Sequence, residues 1–439
     1  MPVSTDTTGH IAVIDIWHQG AVLAAGLAEA GHTVRGLTLA GDAAALNEGV
    51  TPVLEPGLGD LIRAMVAAGR LRFTGDPAEA LPGAAFLFLS TDTPVDDDDR
   101  PHLDGLFEAL RRAGPHVDRP VILAITAQVP AGTSEALRDA LAATAAHPVR
   151  VAYVPEFLQL GQALDRFRNA DRFVVGADDP EVRARVSALF APLGRPAVET
   201  SLRTAEMAKH AANAFLALSV SFINEIGDLA EAEGADIADV ARILRLDRRI
   251  GPHAYLGAGL GFSGGTLGRE LRTLQAIGTR HAIPTAMTDA TWAVNAARPA
   301  AVLRLLARTA GKPEGRTLAV GGLAYKAGTP TLRRSRPLEI VRALVEAGWG
   351  VRAFDPLVDP AALPPLPRFA VCPSLVEAAR GAAAVVLLSG GDGVANASVT
   401  DVARALTGRL VVDAAGAWDR DAARQAGLTV VSPGRAVAP

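Results

Sequence analysis

Residues 11–41 read "IAVIDIWHQGAVLAAGLAEAGHTVRGLTLAG". An apolar strand runs into a short turn, an alanine-rich helix follows, and a second apolar stretch comes after it. That succession is the opening of a dinucleotide-binding unit, in which the turn reads G-x-G-x-x-G. Here the turn reads Asp15-Ile16-Trp17-His18-Gln19-Gly20, so only the third glycine is in place. The chain predicts the scaffold of a cofactor pocket while placing an acid and an indole where the cofactor's phosphates would rest.

The alternation continues. Apolar runs at 11–14, 84–89, 121–125 and 172–176 are separated by amphipathic helical stretches up to about residue 200. This is the doubly wound pattern. Residues 201–232 contain no proline and one glycine, with apolar residues at helical spacing, which predicts one long helix. Helical patterns run on to 309. After the loop "GKPEG" (311–315), the runs "TLAVGGLAYK", "GVRAFDP", "AAVVLLS" and "LVVDAAG" give a second α/β set. The expected fold class is α/β, with two doubly wound Rossmann-like domains joined by a long central helix and a helical connector domain. The expected domains are 1–200, 201–309 and 310–439, with loose ends.

Bulk properties narrow the function classes. With 439 residues, 49% hydrophobic and 21% charged, the chain has ample core for two or three domains. A net charge of −4 without a basic block argues against nucleic acid as a partner. The acidic run Asp96–Asp99 reads as a solvated loop. No apolar stretch of about 18 residues and no leader before His10 are seen, so no membrane partner and a cytoplasmic location are expected. Cys372 is the only cysteine, which rules out an internal disulfide or a cysteine-based metal site. Lysine occurs only at Lys209, Lys312 and Lys326 in an arginine-rich chain. No metal is expected; a cation held by Asp15, Asp92 and His18 is the outside alternative.

Five stretches, in order along the chain, resemble the UDP-glucose/GDP-mannose dehydrogenase family. "NEGVTPVLEPGLGDLI" (47–62) is similar to the family's N-x-G-x-x-P-x-x-E-P-G-L segment. "VPEFLQLGQALDRFRNADRFVVGADDP" (154–180) resembles its N-P-E-F-L-R-E-G stretch. "AEMAKHAANAFLALSVSFINEI" (205–226) resembles its central helix, "RRIGPHAYLGAGLGFSGGTLGRELRTL" (248–274) its glycine-rich catalytic loop, and "GGLAYKAGTPTLRRSRPLEI" (321–340) the start of its third domain. The resemblance implies oxidation of C6 of a nucleotide sugar to a carboxylate with two NAD molecules. It also implies a homodimer.

Measured against that chemistry, several parts are missing. At the cofactor turn, Asp15 and Trp17 replace the first two glycines and only Gly20 remains; Thr38 stands where an acid should meet the ribose. A carboxylate a few Å from a pyrophosphate costs roughly 4 kcal/mol at an effective dielectric of about 20. Asp92 adds a second acid in "STDTPV". In the catalytic loop, Thr266 occupies the position of the family's nucleophilic cysteine and Glu270 that of its aspartate. A threonine hydroxyl without an adjacent base is a weak nucleophile. Leu160 and Gln128 replace an acid and a threonine of the family's pattern, and distant Cys372 reads as a small core residue.

Other parts remain. Lys209 and Asn213 lie one turn apart on one helix face, and the resemblance implies that they hold a water and the reacting oxygen. Tyr255, Leu256, Gly261, Phe262 and Gly264 keep the loop that would wrap the ligand. Arg248, Arg249, Lys326 and Arg333 are candidate contacts to phosphate or sugar, Arg333 reaching across the dimer. The resulting expectation is a nucleotide-sugar-binding protein (UDP- or GDP-linked) that has lost four-electron oxidation and uses no cofactor in the usual mode. It would act in a redox-neutral step, with Lys209, Glu270 and His210 as proton carriers, or as a binding partner. The alternative is a two-electron NAD(P)-dependent oxidoreductase, because removing hydride from an alcohol needs no thiol.

Overall fold

Every residue of the strands His10–Ile14 (β1), Ala84–Leu89 (β4) and Val121–Ile125 (β5) is buried. Strands covered on both faces read as unbroken apolar runs, and these three pair in parallel. They form the centre of a sheet in the computed structural model, which describes residues 9–96 and 99–435. The two chain ends, with their expected looseness and leaderless start, and Asp97 and Asp98 of the acidic run lie outside the described residues.

Two compact units make up the chain, one running to Ala211 and the other starting at Ala212. In the first, Val34–Leu37 (β2) and Leu71–Thr74 (β3) extend the sheet on one side of β1. Val149–Tyr153 (β6), Phe173–Gly176 (β7) and Ala197–Thr200 (β8) extend it beyond β5, giving the order β3-β2-β1-β4-β5-β6-β7-β8. Only the β6–β7 pairing is antiparallel. Strand order reverses between β1 and β4, and a crevice opens beyond the carboxyl ends of strands at such a point.

The second unit holds the parallel sheet β11-β10-β9-β12-β13-β14. Its strands are Thr317–Gly321 (β9), Gly350–Phe354 (β10), Phe369–Val371 (β11), Ala384–Leu387 (β12), Leu410–Asp413 (β13) and Thr429–Val431 (β14). The fold class is therefore the expected one. The long helix spans Leu202–Glu233, starting in the first unit and continuing into the second. Helices at Ile237–Leu246, Gly265–His281, Ala286–Ala296 and Arg298–Thr309 complete the helical part. Among the described residues no helix is long and apolar enough to cross a membrane.

Candidate functional site

The turn after β1 is shaped by its substitutions. Asp15 has φ of 66°, the left-handed region that a glycine enters without strain. Its N–H donates to Leu37 O at 2.8 Å, and its carbonyl accepts from Ser90 Oγ at 2.9 Å. Burial raises the pKa of its carboxyl, Asp92 adds to the rise, and a bond from Thr91 opposes it. Trp17 stands at the N-cap of the helix His18–Glu29 without a capping bond, its residue 49% exposed. Gly20 is required by packing alone, since a Cβ there would lie 2.5 Å from Asp15 O and 2.6 Å from Ser90 Oγ.

The first turn of that helix is tied to three loops. His18 Nε2 lies 2.8 Å from Glu55 Oε2, and the buried Glu55 also accepts from Gly161 N at 2.8 Å and Ala163 N at 2.7 Å. Gln19 Nε2 donates to Thr126 O at 3.0 Å. One sequence alternative, the cation site, is corrected here. His18 faces Glu55 rather than Asp15 and Asp92, and among the described residues no three His, Cys, Asp or Glu side chains come together as metal ligands. Thr38 is buried, and its hydroxyl accepts from Gly41 N at 2.8 Å, so it shapes its own turn.

On the long helix, Glu206, Lys209, His210 and Asn213 are all buried. Lys209 is thus no surface lysine. Its ammonium donates to Glu156 O, lies 4.0 Å from Glu156 Oε1 and sits 4.8 Å from the centroid of the Phe157 ring. Glu156 Oε2 accepts from Leu158 N at 2.5 Å, and the Arg172 guanidinium is 4.7 Å from the same Phe157 centroid. Glu156, Phe157 and Arg172 also border a cavity of about 270 Å³ with Gln19, Thr126 and Phe173. Sequence pattern alone does not mark Glu156 as a site residue, although the "PEF" of its stretch is the available signal. Nor does it mark Glu206, which accepts from Gly132 N at 2.8 Å and Ser134 N at 3.2 Å and so anchors the loop after Gln128. Thr93 Oγ1 donates to Gln128 O at 3.0 Å. Leu160 leaves no carboxylate at its position.

In the second unit the glycine-rich loop is held by its backbone. Phe262 N donates to Asn295 Oδ1 at 2.8 Å, and Asn295 Nδ2 donates back to Phe262 O at 3.1 Å. Gly259 N donates to Asn224 Oδ1 at 2.9 Å, and Arg298 Nε to Gly259 O at 3.2 Å. Gly261 has φ of 82°, and a Cβ there would run into Asn295. Gly264 N donates to Arg334 O at 3.1 Å, and Ser263 Oγ to Tyr325 O at 3.0 Å. Phe262, Leu267 and Leu271 pack on Ala214, Ala217 and Val220 of the long helix. Loop and helix therefore pack together, with Asn213 next to Ala214 in the chain. Asn213 Nδ2 is buried without a hydrogen-bond partner among the described residues, the kind of orphan donor that costs about 1–3 kcal/mol until an acceptor arrives.

The remaining candidates separate. Thr266, in the first turn of Gly265–His281, is exposed, whereas Glu270 one turn on is fully buried. Leu256 is buried and Tyr255 is 43% exposed. Arg248 and Arg249 are exposed, and Arg249 turns onto Asp247 at 2.6 Å. Arg333 is exposed and Lys326 half-buried, with Lys326 O accepting from Thr329 Oγ1 at 3.2 Å. Cys372 follows the edge strand β11, and burial pushes its thiol pKa up.

Three models of one family match in order. The NAD binding domain matches residues 9–194, the central domain 203–297 and the UDP binding domain 319–420. The chain belongs to the UDP-glucose/GDP-mannose dehydrogenase family. A UDP-glucose 6-dehydrogenase of Bacillus subtilis is 31% identical over 432 residues, covering 97% of this chain and 98% of that one. The UDP-glucose 6-dehydrogenase of Haloferax volcanii is 32% identical over 417 residues, 92% of this chain and 96% of its own. Among solved structures, a UDP-glucose dehydrogenase from Pyrobaculum islandicum superposes with a TM-score of 0.88 at 29% identity, covering 99% and 100% of the two chains.

Proposed function

We propose that this family member binds a nucleotide sugar and does not carry out the four-electron oxidation to a uronic acid. One observation carries the reading. The first turn of Gly265–His281 presents Thr266 where the family's chemistry needs a thiol, and the chain's single cysteine lies beside the edge strand β11 with its pKa raised by burial. Without a thiolate, an aldehyde has no route to a thioester. Incubation with UDP-glucose and with GDP-mannose in excess NAD should yield no acid product; clear formation of uronic acid overturns the reading.

The first-unit turn does not fit a dinucleotide in its usual mode. A half-buried carboxyl stands in the left-handed position of the tight turn, and an indole stands at the N-cap where backbone must approach a pyrophosphate. No step is therefore assigned to NAD. The nucleotide sugar is expected against Asn213 and the 255–265 loop, with Asn213 Nδ2 as a waiting donor and Arg248, Arg249, Lys326 and Arg333 as candidate phosphate partners. Lys209, one turn earlier on the same helix, supplies the nearest lysine charge in sequence, and the buried Glu270 the acid. This reading keeps three functional parts, 1–200, 201–309 and 310–439.

A homodimer belongs to this reading. Phe215, Phe222 and Leu229 repeat every seven residues on the long helix and are 66%, 49% and 58% exposed. A second copy is the partner proposed to cover them.

A second reading, two-electron oxidation, draws on the buried Lys209 and Asn213, since hydride removal needs no cysteine. Calorimetry with NAD separates the two: micromolar binding favours this second reading.

A further inference from the structure

The cavity of about 270 Å³ in the first unit is distinct from both places where a nucleotide or a cofactor has been considered. None of Asp15, Trp17, Thr38 or residues 90–93 lines it, and neither does Lys209, Asn213 or the 255–265 loop. It meets those places only through shared walls, Gln19 on one side and Glu156 with Phe157 on the other. Its interior is set among the helices His18–Glu29, Ala163–Arg168 and Pro180–Phe190. Leu23, Val154, Phe167 and Phe190 give it a buried apolar floor.

The walls are fixed by packing of their own. Phe173 and Phe190 stack with ring centroids 4.4 Å apart and planes 20° apart, and Phe167 meets Phe173 edge-on at 5.8 Å. Gly26 lets the Phe167 ring lie against the first helix, since a Cβ there would stand 2.3 Å from its Cε1. Gln19 is held by its bond to Thr126 O. Well-packed interiors contain few voids larger than a water molecule, and an apolar cavity of about 150 Å³ is enough to take benzene. This one has room for a ring and a short chain.

The exposed mouth is polar. Arg166 and Arg172 line it, and among the described residues neither guanidinium forms an ion pair or a side-chain hydrogen bond; Arg172 stacks on the Phe157 ring at 4.7 Å. Three acids line the cavity too. Asp165 accepts from Asn169 Nδ2 at 2.8 Å, and Glu156 accepts from Leu158 N at 2.5 Å with the Lys209 ammonium 4.0 Å away. That leaves Asp171 as the one lining carboxylate without such a contact, against two guanidinium groups.

We propose that this cavity binds a small aromatic carboxylate, with its ring against Phe167, Phe173 and Phe190 and its carboxylate on Arg172 and Arg166. A planar guanidinium grips a carboxylate through two parallel bonds. An apolar interior with a few polar groups at one end is the arrangement that orients such a ligand. The site goes beyond the nucleotide-sugar reading and does not rest on it.

The test is calorimetry on the full chain with 3-phenylpropanoate, 3-phenylpropanol and phenethylamine, backed by saturation-transfer NMR of the ring protons. The carboxylate should bind at least tenfold tighter than the alcohol, and the amine should bind no better than the alcohol. Arg172→Gln should weaken the carboxylate at least fivefold and Arg166→Gln severalfold, while Arg112→Gln, an exposed arginine outside the lining, should match the parent. If Arg172→Gln does not fold, the exposed Arg166 decides. Equal affinity in parent and lining variants, no binding of the carboxylate, or preference for the amine overturns the proposal. Displacement of the carboxylate by NAD or by UDP-glucose also overturns it, because the cavity would then be part of one of those sites. Failure of UDP-glucose to bind leaves the carboxylate result standing and counts only against the earlier reading.

Discussion

His18 Nε2 lies 2.8 Å from Glu55 Oε2, a bond that joins the first turn of the first helix to a buried carboxylate 37 residues away. Glu55 takes two further backbone donors, Gly161 N and Ala163 N, so one carboxylate ties three segments together beside the β1 turn. His18→Ala should leave Glu55 with two donors and cost about 1–3 kcal/mol of stability. Urea denaturation checks it, and an unchanged midpoint would show that the pair contributes nothing.

Asp15 gives a pH signature. Its carboxyl pKa is raised in the folded chain, chiefly by burial, above the unfolded value of about 3.9. Between those two pKa values the folded state holds more protons than the unfolded state, so stability falls as pH rises through that window. Above the folded pKa the full penalty applies. Asp15→Asn removes the titration and tolerates the left-handed backbone. The variant should exceed the parent in stability at pH 7, and the gap should close as pH falls towards 4. Parallel denaturation curves across that range would contradict it.

The sequence made the scaffold legible through its long apolar runs. Strands β4, β5 and β12 are unbroken hydrophobic stretches, β1 and β9 have apolar centres, and the helix predicted over 201–232 is found at Leu202–Glu233. Strands β3, β8, β11 and β14, of only three or four residues, leave no clear mark in the sequence. Such segments have too few residues to show a period, and their pairing comes from the neighbouring strand. The site was legible as positions, through the resemblance, but not as partners. Nothing local to His18 indicates Glu55, and nothing local to Lys209 indicates that Glu156 O and the Phe157 ring will hold it. Those contacts are set by tertiary packing across 37 and 53 residues.

Restoring glycine at both substituted turn positions tests the cofactor argument. The parent should bind NAD no tighter than about millimolar, near −4 kcal/mol. The double variant Asp15→Gly with Trp17→Gly removes the carboxyl and the indole, and should gain at least about tenfold, or 1.4 kcal/mol, by calorimetry. Thr266→Cys added to it would supply the thiol but not the acid lost at Leu160. Micromolar binding by the parent would reverse the argument and favour two-electron oxidation.

Exposed apolar side chains at seven-residue spacing test the assembly. Phe215→Glu with Phe222→Glu should convert a dimer to a monomer by light scattering, because two charges on that face would be desolvated in the interface. A monomeric parent would remove the need for a partner copy.

Asn213 separates binding from folding. Its Nδ2 is buried without a partner among the described residues, so the free protein carries the cost of an unmet donor. Most buried polar side chains stabilise the protein that contains them, and replacing them lowers its melting temperature. Asn213→Ala should behave differently. It removes the orphan and leaves a small void on the helix side next to Ala214 and Ala217, which pack against Phe262 of the loop. The two effects oppose each other, so the melting temperature of the free protein should hold. Binding should not: if a hydroxyl or phosphate oxygen of the nucleotide sugar accepts from Nδ2, the variant loses about 1–3 kcal/mol of affinity. Thermal melts and calorimetry with UDP-glucose on the same samples give both values. A lower melting temperature with unchanged affinity would assign Asn213 to the scaffold and leave the 255–265 loop without its donor from the helix.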